Sequence, residues 1–188
     1  QAIVMPSLSP WTHLYHNADD DSFFMMTGVT REVFNMLLAI VYPPPDPSSL
    51  RSRRERPRSL LAHSELGMFL FFIGSTMQIK YICILFGCTP SVCSRVLRRL
   101  LKTIPRKLRN HDFSKVVFPD EEKMAEYATM IQLREPVAHD VIGFMDGVAV
   151  LSECTSETIE QNAMYNGYHS NAMMNNVLAY GTDNKVFL

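Results

Sequence analysis

The sequence predicts an α+β protein, helical first and sheet-forming last, and three observations carry that prediction. From Thr30 to about residue 110, apolar side chains recur at helical spacing between prolines and Ser or Thr caps. Beyond residue 139 the period changes, and short runs rich in β-branched and aromatic residues alternate with Gly, Asn and Asp turns. Charge is partitioned along the same lines. Residues 1–50 carry one basic and five acidic side chains, residues 51–110 carry thirteen and two, and residues 111–188 carry four and twelve, beneath an overall charge of −1.

A basic block between acidic flanks is the electrostatic footprint of a polyanion partner, although a solvated surface gives the same sum. The length of 188 residues, with 47% hydrophobic and 20% charged, fits one domain or two small ones with a core. No run of about 18 uncharged apolar residues is present, and no leader pattern opens the chain. A nuclear or cytoplasmic protein is expected, neither membrane-bound nor secreted. The chain begins with Gln1 and stops just after Val186-Phe187, so it reads as a fragment. Cys83, Cys88 and Cys93 are spaced by five and Cys154 stands apart. That spacing matches neither CxxC zinc pairs nor a disulfide framework and predicts free, buried thiols.

Residues 1–29 hold Pro6, Pro10, Trp11 and the acidic Asp19-Asp20-Asp21 without sustained periodicity, which predicts an irregular arm. Residues 30–110 read as a helical region. Thr30 caps a helix carrying Val33, Phe34, Leu37, Leu38 and Val41 until Pro43 stops it. Pro43 to Ser49 is a stiff proline connector, and Arg51, Arg53, Arg54, Arg56 and Arg58 follow it. This segment suits an arm along phosphates, and equally a nuclear-import signal or a solvated linker. Ser64 opens a strongly apolar helix that ends near Gly74.

Ile79 to Phe86 then runs into Gly87-Cys88-Thr89-Pro90 and a third helix with Val92, Val96, Leu97, Leu100, Leu101 and Ile104 on its apolar side. Thr89 is a good N-cap, and Pro90 falls where its missing N–H costs nothing. Two helices joined by a short glycine-bearing turn make a helix-turn-helix pattern. The polar side of the second helix carries Ser91, Ser94, Arg95, Arg98, Arg99 and Lys102. In a recognition helix the first residues meet base edges and later cations meet phosphates, so these six are the candidate DNA-binding set. A basic solvated face would look similar. Pro105 and the basic residues to Arg109 are expected to end the unit.

Residues 111–138 form a connector with one helix, capped by Asp120 and buried through Met124, Tyr127, Ala128 and Ile131, ending at Glu135-Pro136. Residues 139–188 carry the sheet. Val141 to Val150 reads as a buried strand with one acid, Asp146, at its centre, and a buried charge needs a metal or a partner. The local Asp146-Gly147 pair equally fits a type I′ hairpin turn. Ser152 to Gln161 is polar and turn-like, Asn171 to Tyr180 a second strand, Gly181 to Asn184 a turn, and Lys185 onward the start of a third strand. Met164, Met173 and Met174 are expected in the core. An acid on the first strand of an antiparallel meander is the layout of an RNase H-like nuclease core.

Gly143-Phe144-Met145-Asp146-Gly147, followed about twenty residues on by Asn166-Gly167-Tyr168-His169-Ser170, a strand and a Gly-Thr-Asp-Asn turn, resembles the PIF/Harbinger-type transposases and their derived DDE nuclease domain. The stretch from Leu85-Phe86-Gly87 into Ser91 to Leu101 is similar to the helical DNA-binding region that precedes that domain. The resemblance implies metal-dependent DNA cleavage by three acids holding divalent ions, Mg²⁺ or Mn²⁺, with Asp146 as the first catalytic acid and metal ligand. It also implies DNA as partner, together with a second DNA-binding protein encoded by the same element. Glu153, Glu157, Glu160 and Asp183 match neither of the other two acids. The chain as given is therefore expected to lack nuclease activity; a non-enzymatic DNA-binding protein derived from such an element is the alternative.

Overall fold

A computed structural model of the chain describes residues 4–44, 60–152 and 156–187. It combines helices with a small antiparallel sheet, arranged as two compact units, Gln1–Phe113 and Ser114–Leu188. The proline connector beyond Pro44, the arginine segment 51–58, Glu153 and Cys154 lie outside the described residues.

The first unit contains α1 (Pro10–Asn17), α2 (Asp20–Thr27), α3 (Arg31–Val41), α4 (Ala62–Gly74), α5 (Ile79–Phe86) and α6 (Pro90–Leu108). Local chemistry sets most of the starts. Ser9, Asp19, Thr30 and Thr89 each accept a hydrogen bond from the backbone N–H three residues on, which satisfies an orphan donor of the helix that follows. Helix α4 is apolar all round, and Ser64 through Phe71 are buried without interruption, so it is the central element of this core.

The irregular arm expected over residues 1–29 is a correction. Residues 10–27 form two helices, anchored by Trp11, which is fully buried with its ring 6.2 Å from Phe23, 6.1 Å from Phe34 and 5.1 Å from Phe86. Two helices of eight residues complete barely two turns each, too few for periodicity to register. Helix α6 runs through Pro105 and ends at Leu108, within the Pro105–Arg109 stretch expected to close the unit. Its last turn is held by Lys107, whose Nζ donates to the carbonyls of Ile40 (2.8 Å) and Val41 (3.1 Å) at the end of α3. A cation on unsatisfied C-terminal carbonyls is favourable.

In the second unit, β1 (Phe144–Leu151) pairs antiparallel with β3 (Asn171–Tyr180), from Phe144 opposite Tyr180 to Leu151 opposite Met173. The short β2 (Tyr165–Asn166) lies on the other side of β3. The third strand expected from Lys185 amounts to a single bridge between Val186 and Tyr180. Helix α7 (Glu121–Arg134) starts on its Asp120 cap and ends at Glu135. It packs within this unit, Tyr127 lying so close to Gly181 that a Cβ there would meet the ring. Residues read as a polar turn include α8 (Thr158–Met164).

Strand β1 is not buried as expected: all eight of its residues are exposed. Met174 is exposed too, contrary to a core role. The apolar run made the strand, but among the described residues no layer covers it. No single described helix is long and apolar enough to cross a membrane.

The Trp11 anchor has a measurable weight. Trp11→Ala should lower the stability of the first unit by about 3–5 kcal/mol in urea unfolding. Gly67→Ala should also destabilise it, because the new Cβ would overlap the indole. Nearby, the Trp11 Nε1–H donates to His63 Nδ1 at 3.2 Å, and burial, reinforced by the neighbouring His16, pushes the His63 pKa below its ordinary 6.5. The folded state thus binds the proton less well than the unfolded chain. Stability should be complete above pH 6.5 and fall as pH drops from there towards the folded value. Urea midpoints at about pH 7.5 and about pH 5 should show this loss, and His63→Gln should flatten it.

Candidate nucleic-acid interface and acidic strand

The geometry of α6 is set by the turn before it. Gly87 takes the left-handed conformation, with φ 62°, that an L side chain rarely adopts, and its N–H donates to Ile84 O at 3.3 Å while Cys88 N–H donates to Cys83 O at 2.9 Å. Thr89 then caps α6 and Pro90 occupies its first turn. Helices α5 and α6 meet at 97°. Cys93, Val96, Leu97, Leu100 and Ile104 point into the core at helical spacing.

The opposite side of α6 brings the sequence-predicted residues together. Ser91, Ser94, Arg95, Arg98, Arg99 and Lys102 line one shallow groove of ≈ 500 Å³. They recur along three turns on one face, as positions three, four and seven apart must. Arg95, Arg98 and Lys102 are exposed and form no ion pair among the described residues.

Arg99 is different. Its guanidinium donates to Glu65 Oε2 at 2.5 Å, and the Tyr42 hydroxyl donates to the same oxygen at 2.6 Å. The Glu65 side chain is 5% exposed and that of Arg99 41%, so one end of the pair is inside the protein. A buried carboxylate without a cation is costly, and Arg99 therefore serves the fold as well as the groove. Sequence periodicity had no means of detecting this, because the acid arrives from α4.

Asp146 lies inside β1, opposite Leu178 and flanked on its face by Phe144 and Val148. Continuous pairing from Phe144 to Leu151 rules out the hairpin-turn alternative. Its carboxylate is exposed, and Oδ1 accepts the N–H of Gly147 at 2.8 Å. The cost that first made this acid conspicuous is thus absent, because water solvates it. Asp183 is elsewhere in the same unit, in the turn after β3. The Tyr127 hydroxyl and the Lys185 N–H (3.1 Å) hold its carboxyl below the usual range. The Asn166–Ser170 motif is a tight turn into β3: Asn166 Oδ1 accepts from the N–H groups of Tyr168 (3.0 Å) and His169 (3.3 Å), and Tyr168 is 91% exposed.

A two-metal site for Mg²⁺ or Mn²⁺ requires several carboxylates on one spot. Among the described residues no second carboxylate joins Asp146, so they do not fit that site. The group of three His, Cys, Asp or Glu side chains that does converge among them is Cys83, Cys88 and Cys93, a soft donor set. All three are free and buried, as expected. A hydrogen bond from Cys88 holds the Cys93 thiol down to about 7, the same bond pushes Cys88 up, and burial raises Cys83. Their convergence escaped the sequence because C-x₄-C-x₄-C is not a metal spacing on any single element.

The division of labour on α6 is testable by urea denaturation. Arg99→Ala should destabilise the protein by roughly 2–3 kcal/mol by stripping a cation from buried Glu65. Arg98→Ala should change stability by no more than about 0.5 kcal/mol. Comparison of the chain with protein-family models, curated proteins and solved structures finds no match.

Proposed function

We propose that this chain binds double-stranded DNA through α6, as the helix-turn-helix part of a PIF/Harbinger-type, transposase-derived DNA endonuclease. The observation that carries the reading is the α6 groove: six polar or cationic side chains on one face, three of them cations without an internal ion pair among the described residues. On this reading Ser91, Ser94 and Arg95, in the first turns, face base edges in the major groove. Arg98 and Lys102 lie farther along and neutralise phosphates. The net positive charge of residues 51–110, a sum that includes the arginines at 51–58, adds a field that draws in the polyanion. A protein with this role works in the nucleus, alongside a second DNA-binding protein of the same element.

The nuclease half of the proposal rests on the motif resemblance around Asp146 and Asn166–Ser170. An RNase H-like core would place Asp146 on its first strand as an oxygen ligand to Mg²⁺ or Mn²⁺. Among the described residues no second carboxylate joins it, and no cleavage step follows from this chain's own residues. A purely DNA-binding role is the second reading, favoured by that lone acid.

Fluorescence anisotropy on duplex DNA across a salt series tests the binding. The wild-type chain should lose affinity steeply with salt. An Arg95→Ala, Arg98→Ala, Lys102→Ala variant should show a salt slope shallower by about 0.9 per phosphate contact removed. Affinity indifferent to both salt and these substitutions would sink the proposal. In the same samples Mg²⁺ or Mn²⁺ should produce no nicking of plasmid DNA; nicking that Asp146→Asn abolishes would instead establish the enzyme.

A further inference from the structure

We propose that Cys83, Cys88 and Cys93 form a structural site for one thiophilic divalent cation, Zn²⁺, held by three thiolates. The site does not depend on the DNA-binding reading. Its three donors come from different local structures that the fold gathers. Cys83 lies on α5, Cys88 directly follows the left-handed Gly87, and Cys93 is in the first turns of α6. Their sulfur atoms all lie within 4.8 Å of one another.

That spacing is close to what a metal demands. Zinc–sulfur bonds of about 2.3 Å place the sulfurs of a tetrahedral site about 3.8 Å apart. The three sulfurs therefore need to draw in by no more than about 1 Å. Cys93 is fully buried, and Cys83 and Cys88 are only 7% and 6% exposed, so the three donors form an enclosed cluster.

Donor chemistry selects the ion. Thiolates favour soft or borderline cations such as Zn²⁺ and Cu⁺ over Mg²⁺, Ca²⁺ or Mn²⁺. Charge decides between the first two. Binding exchanges three thiol protons for the ion, which leaves a net −1 with Zn²⁺ and −2 with Cu⁺. A mostly apolar surround penalises the larger charge more. Cys93, in the opening turns of α6, also sits where the helix N-terminus favours negative charge. The bound ion would fasten α5, the Gly87 turn and the start of α6 together, which stabilises the folded state by mass action.

The test uses the whole chain, stripped with chelator under reducing conditions and reloaded with Zn²⁺. One ion per chain should survive desalting, and the Tm should rise by several degrees. Of the four thiols, three should become protected from iodoacetamide relative to the stripped protein. Co²⁺ in place of Zn²⁺ should give thiolate charge-transfer absorption with tetrahedral visible bands. Cys88→Ala and Cys93→Ala should lose the bound ion, while Cys154→Ala keeps it. Circular dichroism identifies any variant that fails to fold, and the protection experiment needs no variant. Equal alkylation with and without Zn²⁺, together with an unchanged Tm, would overturn the site; retention of Cu⁺ alone would overturn the choice of ion.

Discussion

The helical unit depends on the burial of a single indole. Trp11 packs on Phe23, Phe34 and Phe86 and lies against Gly67, so α1, α2, α3, α4 and α5 all meet at one side chain. Each contact has its own requirement. Gly67 must lack a Cβ, and Phe86 must reach the ring from the last turn of α5. Phe86 is the last residue of α5, and the left-handed Gly87 that follows it ends the helix and turns the chain into α6. The backbone of Met5 and Pro6 lies so close to Gly87 that a Cβ there would meet it, which gives the N-terminal segment a second hold on the same turn. A constraint at residue 11 thus reaches the basic helix through packing.

Helix α6 shows how one amphipathic element is divided among several tasks. Its apolar stripe fills the core, and its cations separate into two classes by what they touch. Lys107 secures the carbonyl end of α3, and Arg99 neutralises an acid buried on α4. Arg95, Arg98 and Lys102 stay in the groove with their charge available. Counting basic residues overstates an interface, because some of the charge is spent internally. What remains, Arg95, Arg98 and Lys102, still lies on one face, starting in the second turn of the helix. The three cysteines sit beneath the same turn, and an ion there would stiffen the approach of α5 to α6 without touching the groove.

The sheet-bearing unit teaches a different lesson about charge. An acid within an apolar strand demands compensation only if the strand is buried, and β1 is exposed along its whole length. Asp146 is accommodated by water and by its neighbour's N–H, so its presence is not itself a sign of a metal. The motif around it keeps its interest through the resemblance alone.

Elements whose signals are local can be read directly from the amino-acid order. Thr30, Thr89 and Asp120 cap where they should, Gly87 makes the turn, and Asn171 to Tyr180 is a strand, because caps, left-handed glycines and alternating patterns act over a few residues. The six groove residues were legible for the same reason, since a helical period alone sorts them to one face. The remaining relations arise only when the chain folds. That Trp11 anchors two short helices, that Arg99 belongs partly to Glu65, that Cys83, Cys88 and Cys93 converge, and that Asp146 faces water are relations between residues distant in the chain or questions of what covers a surface. No local period encodes them, because burial is a property of the neighbours that the folded chain brings near.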